Sequence, residues 1–161
     1  MEFINFGDLL GDFKLVPAAN AIDKEIVNTI EKKMGFELYW ISNSARITFT
    51  DKEGSIGIIC PRTEKPIKKD FHTEYFFSIF AYQIELLEKF KKYYNVFICH
   101  STDQLLSFTL DELKPKLKFV HTIKKDNHSM IYFVKEGKHY YLKQPKIDSK
   151  YRIDITKNLM K

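Results

Sequence analysis

A chain of 161 residues, 44% hydrophobic and 29% charged, has the make-up of one globular domain of ordinary size, with a core that needs no disulfides. These proportions exclude a disordered chain, and no apolar run approaches the ~20 residues of a membrane span. The 26 Lys and Arg against 21 Asp and Glu leave a net charge of +5, which favours polyanionic partners and equally suits a plain solvated surface.

Two cysteines, Cys60 and Cys99, are too few for a disulfide scaffold or a four-ligand zinc site. Each ends an apolar run, so both are expected as buried thiols. Residues 1–6 carry Glu2 and no basic residue, unlike a secretory signal, and the expected location is the cytoplasm.

Residues 1–20 read as an N-terminal arm. A first helix is expected over 21–34, with Ile22, Ile26, Val27, Ile30 and Met34 on one face, Asn20 as its cap and Gly35 as its stop. Strands follow at 36–41 and 46–50, joined by a Ser42-Asn43-Ser44 turn. A second turn at 51–54 leads to a short strand at 55–60. Next comes a basic loop, 61–69, with Arg62, Lys65, Lys68 and Lys69 set between and beyond two prolines. The spacing of Tyr75, Phe76, Ile79, Phe80, Leu86, Leu87 and Phe90 predicts a long helix over 71–94, capped by Asp70, with Lys89, Lys91 and Lys92 at its negative pole.

The apolar run at 95–99 reads as a central strand with both faces covered. A strand at 105–108 precedes Thr109-Leu110-Asp111-Glu112, a capping box that opens a helical turn disturbed by Pro115. Residues 114–143 read as a meander with strands at 119–123, 130–134 and 139–142. Gly137 lies in the hairpin turn between the last two. A polar tail, 144–161, crosses the body or frays. The expected fold is a single α/β (α+β) domain. Its mixed central sheet is crossed by the long helix through Phe76, Ile79, Phe80, Leu87 and Phe90, and it ends in a C-terminal β-hairpin.

Several stretches in 21–113 give the chain its likeness to a known group. They are Asp23-Lys24-Glu25-Ile26 opening a helix, Gly35-Phe36-Glu37-Leu38-Tyr39-Trp40, the hairpin from Asp51 to Cys60, Tyr94-Asn95-Val96-Phe97-Ile98-Cys99, and Leu105 to Leu113. In order and texture this core resembles the PD-(D/E)XK nuclease superfamily, the resolvase-like and restriction-endonuclease-like domains. The resemblance implies a nuclease-like fold and metal-dependent phosphodiester hydrolysis, with Mg²⁺ as the cofactor. Such enzymes set an acid on the second strand and an acid-x-Lys on the third, where they hold metal and activate water. Here the third strand offers Ile58-Ile59-Cys60, with neither acid nor lysine. A working site would have to be built from other groups.

The acids around the second hairpin are the first candidates. Asp51, Glu64 and Lys65 are the expected catalytic groups, and Glu25, Asp51 and Glu64 the expected metal ligands. All equally suit turn and loop solubility. The Glu-x-Lys triplets at Glu31, Glu112 and Glu136 arise readily by chance in so charged a chain, with Asp103 and Glu112 next in order. His100-Ser101-Thr102 has the form of half a two-histidine phosphoesterase site, but no second His-x-Thr accompanies it. No phosphate-binding glycine loop, nucleophile elbow or dinucleotide fingerprint is present.

Arg62, Lys65, Lys68 and Lys69 are the expected nucleic-acid-binding cations, since lysine and arginine neutralise phosphates without reading sequence. Tyr140 and Tyr141 can stack on bases or pack a sheet face. Two functions stay open. One is a nucleic-acid-binding or nucleic-acid-processing domain of nuclease-like fold, acting on DNA before RNA, from a bacterial, viral or mobile-element setting. The other is a small non-enzymatic inhibitor or accessory subunit that binds a protein partner.

Overall fold

Ile26, Val27 and Ile30 recur at helical spacing, and all three are buried on one helix face. The computed structural model describes residues 15–41, 48–63, 65–123, 127–144 and 152–161. It begins with β1 (Leu15–Pro17) and a 3-10 turn, Ala18–Asn20. Helix α1 then spans Lys24–Met34. Its cap is Asp23, whose side chain accepts from the Glu25 N–H, and not Asn20. Gly35 ends it at φ 84°, a left-handed conformation that costs a residue without Cβ nothing.

Strands β2 (Tyr39–Ile41), β3 (Thr48–Thr50) and β4 (Ile56–Ile59) form an antiparallel meander. The chain then leaves for a second sheet through β5 (Ile67–Lys68) and β6 (Thr73–Phe80). It returns by α2 (Ala81–Leu87) to β7 (Lys92–Ile98), which pairs in parallel with β4. β8 (Leu105–Thr109) closes the first sheet, in the order β1-β2-β3-β4-β7-β8. The capping box forms as expected: Thr109 and Glu112 bond reciprocally at the start of α3 (Leu110–Leu113).

After a 3-10 segment, Lys114–Phe119, come β9 (His121–Ile123), β10 (His128–Glu136), β11 (His139–Lys143) and β12 (Arg152–Asp154). The second sheet runs β12-β11-β10-β6-β5, with β9 also on β10. β10 and β11 form the expected hairpin, and Gly137 in its turn has φ 59°. The protein is thus mixed α+β, with three helices and two sheets among the described residues.

One expected element is absent. Residues 71–94 do not form a long helix crossing a single sheet: they form β6, the short α2 and the start of β7. Within 73–80, Tyr75, Phe77 and Ile79 are buried, while Phe76 is exposed and Ser78 and Phe80 are half-buried. That is the period of two of a strand. Apolar doublets at 75–76 and 79–80 satisfy a helical template as well, and β10 decides between them by pairing with all eight residues of β6.

The layers follow from alternation along the central strands. Val96 and Ile98 of β7, with Ile58, Phe49 and Leu105, pack against Ile26, Val27 and Ile30 of α1. Phe97 and Cys99 face the other way and join Phe108, Phe77, Ile131 and Phe133 between the sheets. Phe97 meets Phe77, Phe108 and Phe133 at centroid separations of 5.0, 5.6 and 4.8 Å, each edge to face. The order of layers is α1, first sheet, second sheet. The last ten residues belong to this body: Ile155 is buried between the sheets, and the Met160 N–H donates to the Leu105 carbonyl.

Candidate functional site

Asp51 follows β3 and closes the turn into β4. Its Oδ1 accepts from the N–H groups of Ser55 and Ile56 at 2.8 and 3.0 Å, and from the Thr50 hydroxyl at 3.3 Å. Oδ2 accepts from the Ser55 hydroxyl at 2.7 Å. Burial works to raise the carboxyl's pKa, but these donors outweigh it and hold the group below its usual range. Glu25 lies exposed in the first turn of α1. Glu64 falls outside the described residues. No three His, Cys, Asp or Glu side chains gather closely enough to hold an ion among the described residues. Asp51 is committed to its own turn by its four bonds.

The other expected groups also have local duties. Glu112 is the capping partner of Thr109 and accepts from the Asn158 side chain. Asp103 accepts from the Ser101 hydroxyl at 2.5 Å in the β7–β8 turn. His100, in that same turn, has φ 78°. Cys99 is buried and Cys60 half-buried, and burial pushes the Cys60 thiol up to about 12. Tyr140 is not free to stack: it is 2% exposed, and its hydroxyl donates to Gln104 Oε1, as does that of Tyr75. Burial, first of all, raises the pKa of both tyrosines.

The four expected cations separate in space. Arg62 and Lys65 line a groove of about 470 Å³ together with Ile67, Phe76 and Tyr132. Arg62 and Phe76 also line an adjoining groove of about 540 Å³ that continues along β6 to Phe80 and Gln83. Lys68 pairs with Thr73 while its neighbour Ile67 pairs with Glu74, so successive side chains of β5 point to opposite faces. Lys69 donates its N–H to the His72 carbonyl at 2.8 Å in the turn before β6. No helix begins at Asp70, contrary to the sequence expectation, so no helix N-terminus stands beside Lys68 and Lys69 to share an anion with them.

The residues missed from sequence are the aromatic side chains on the outer face of the second sheet. Phe76 pairs directly with Tyr132 and Phe80 with His128. Their ring centroids lie 5.0 and 4.9 Å apart. Ile84, Leu86 and Leu87 of α2 and the apolar residues of α1 and α3 go to the inner clusters, none of which includes Phe76, Phe80, Met130 or Tyr132. Tyr82 of α2, by contrast, is exposed, with its ring 5.5 Å from that of Phe80. The signal that could have found this face was the alternation in 73–80, once read as a strand. Three acids on the face have partners already: Glu74 meets Lys143, Glu136 meets Arg152, and Asp154 accepts from the Thr156 N–H. Burial works to raise the Glu74 pKa, but Lys143, with His72 and Lys69, holds it low. Arg62 and Lys65 have neither a side-chain hydrogen bond nor an ion pair among the described residues.

Comparison of the chain with family models, with curated proteins and with solved structures finds no match. No helix among the described residues is long and apolar enough to cross a membrane.

Proposed function

We propose that this protein is a nucleic-acid-binding domain, DNA being its ligand ahead of RNA, that holds the phosphate backbone through the segment 61–69. The observation carrying this reading is the pair Arg62 and Lys65. Both are exposed, both lack an acidic partner among the described residues, and both border a groove with aromatic walls. Cations with no internal partner engage phosphates without first giving up a salt bridge, and the release of counterions drives the association. The reading stops at binding. Hydrolysis would need a metal-holding group of acids, and Asp51 already accepts from four donors.

A protein partner is the second reading, favoured by Phe71, which is 90% exposed in the turn ahead of β6. Anisotropy titrations of mixed-sequence DNA and RNA oligonucleotides between about 50 and about 200 mM salt separate the two. Affinity falling steeply and log-linearly with salt is the expected result. Absence of binding to every oligonucleotide at the low-salt end refutes the nucleic-acid reading. Incubation of the same oligonucleotides with Mg²⁺, Mn²⁺ or EDTA tests cleavage, and metal-dependent cleavage would extend the function beyond binding.

A further inference from the structure

We infer that the ligand is single-stranded, with an unpaired base stacked on Phe76 beside Tyr132 while Arg62 and Lys65 hold the flanking phosphates. This rests on the nucleic-acid reading above and goes beyond it in naming the strandedness and the stacking platform. A duplex keeps its base faces inside the stack, and only a single strand can offer them to a protein aromatic. The outer face of the second sheet has the parts such a strand needs. Phe76 is 36% exposed although it is a large apolar side chain in the middle of a strand. Tyr132 lies directly across from it, tilted by 43°, with the Lys143 ammonium 5.8 Å from the tyrosine ring centroid.

Charge complementarity selects the occupant. Glu74 and Glu136 are neutralised by Lys143 and Arg152, so among the described residues the uncompensated charge lining the groove is that of Arg62 and Lys65. The groove follows β6 from Phe76 to Phe80, roughly 13 Å at the rise of a strand. That is an elongated track with cations at one end, the shape of a short run of unpaired nucleotides. An apolar peptide would leave Arg62 and Lys65 desolvated and unpaired.

The test compares one labelled mixed-sequence 15-mer as a single strand and annealed to its complement, against the wild type, Phe76→Ala, Phe76→Leu and Phe76→Trp. Thermal unfolding of each variant verifies that the fold is kept. Single-strand affinity above duplex affinity is expected. A loss of about tenfold or more is expected for Phe76→Ala and Phe76→Leu, with retention in Phe76→Trp, because leucine keeps the apolar area and lacks the π-face. Duplex bound as tightly as single strand, or leucine binding like phenylalanine, overturns this inference and leaves salt-dependent binding standing. No binding of either form at low salt overturns both readings together.

Discussion

A Cβ built on Gly57 would stand 2.5 Å from Phe90 Cδ2 and 3.1 Å from Leu87 Cδ2. Phe90 and Leu87 are 1% and 0% exposed, and Phe90 packs on Ile41 and Leu86, so neither ring nor methyl has room to retreat. The glycine in β4 is therefore what lets the segment after α2 close over the first sheet. Gly57→Ala is expected to lose about 1–3 kcal/mol from overpacking, despite alanine's gain in chain entropy. Urea unfolding measures this, and an unchanged midpoint would mean that Phe90 does not lie over β4.

Much of the fold is legible in the sequence where only one template fits. The stripe Ile26-Val27-Ile30 with Gly35, the capping box at Thr109 and the turn at Gly137 each have a single local solution, and each forms. The segment 73–80 is different. Its doublets fit periods of 3.6 and of 2, and the choice is made by the partner strand β10, fifty residues away in sequence. Local patterning cannot supply that pairing. A helix over 71–94 puts Phe76 and Phe80 in the core, whereas the strand turns both to the outer face. The cations of 61–69 were visible by charge alone, but which of them share a groove depends on the register of β5, a strand of two residues.

Asp51 organises the β3–β4 turn, and this has a pH signature. Its carboxyl titrates below the ordinary value in the folded protein, so its contribution is complete above the unfolded value near 3.8 and is lost as pH falls through the lower folded one. Asp51→Ala strips an acceptor from two backbone N–H groups and is expected to cost about 2 kcal/mol at neutral pH. Asp51→Asn keeps one acceptor oxygen and costs less. The gap between wild type and Asp51→Asn should narrow in urea unfolding below about pH 4. A gap independent of pH would show that the carboxylate charge does not matter to the turn.

Asn95 sits in β7 at 0% exposure, and neither Nδ2 nor Oδ1 has a hydrogen-bond partner among the described residues. Its neighbours in register are Ile59 and Phe108. An unsatisfied buried amide costs its full desolvation, and a β-branched apolar residue of similar size removes that cost while favouring the strand. Asn95→Val is expected to stabilise the protein by about 1–2 kcal/mol, seen as a raised urea midpoint with an unchanged slope. A destabilised variant would show that the amide is held by a bond that matters.

The cations of the basic segment are expected to act in two pairs. Arg62 and Lys65 border the groove walled by Phe76 and Tyr132, whereas Lys68 points to the other face of β5 from Ile67, and Lys69 belongs to the turn closed on His72. All four side chains are exposed, so reversing them leaves the core untouched. The double variant Arg62→Glu, Lys65→Glu should weaken oligonucleotide binding by tenfold or more, at about 100 mM salt, and lower the salt slope by about 2, one for each phosphate contact removed. The double variant Lys68→Glu, Lys69→Glu has the same change in net charge and serves as the control. Its effect should be smaller, about threefold or less at that salt, because neither lysine lines the groove and only their screened field reaches it. Equal losses in the two variants would mean that only net charge matters and that the groove is not the interface. A larger loss in the second would move the contact to the turn between β5 and β6.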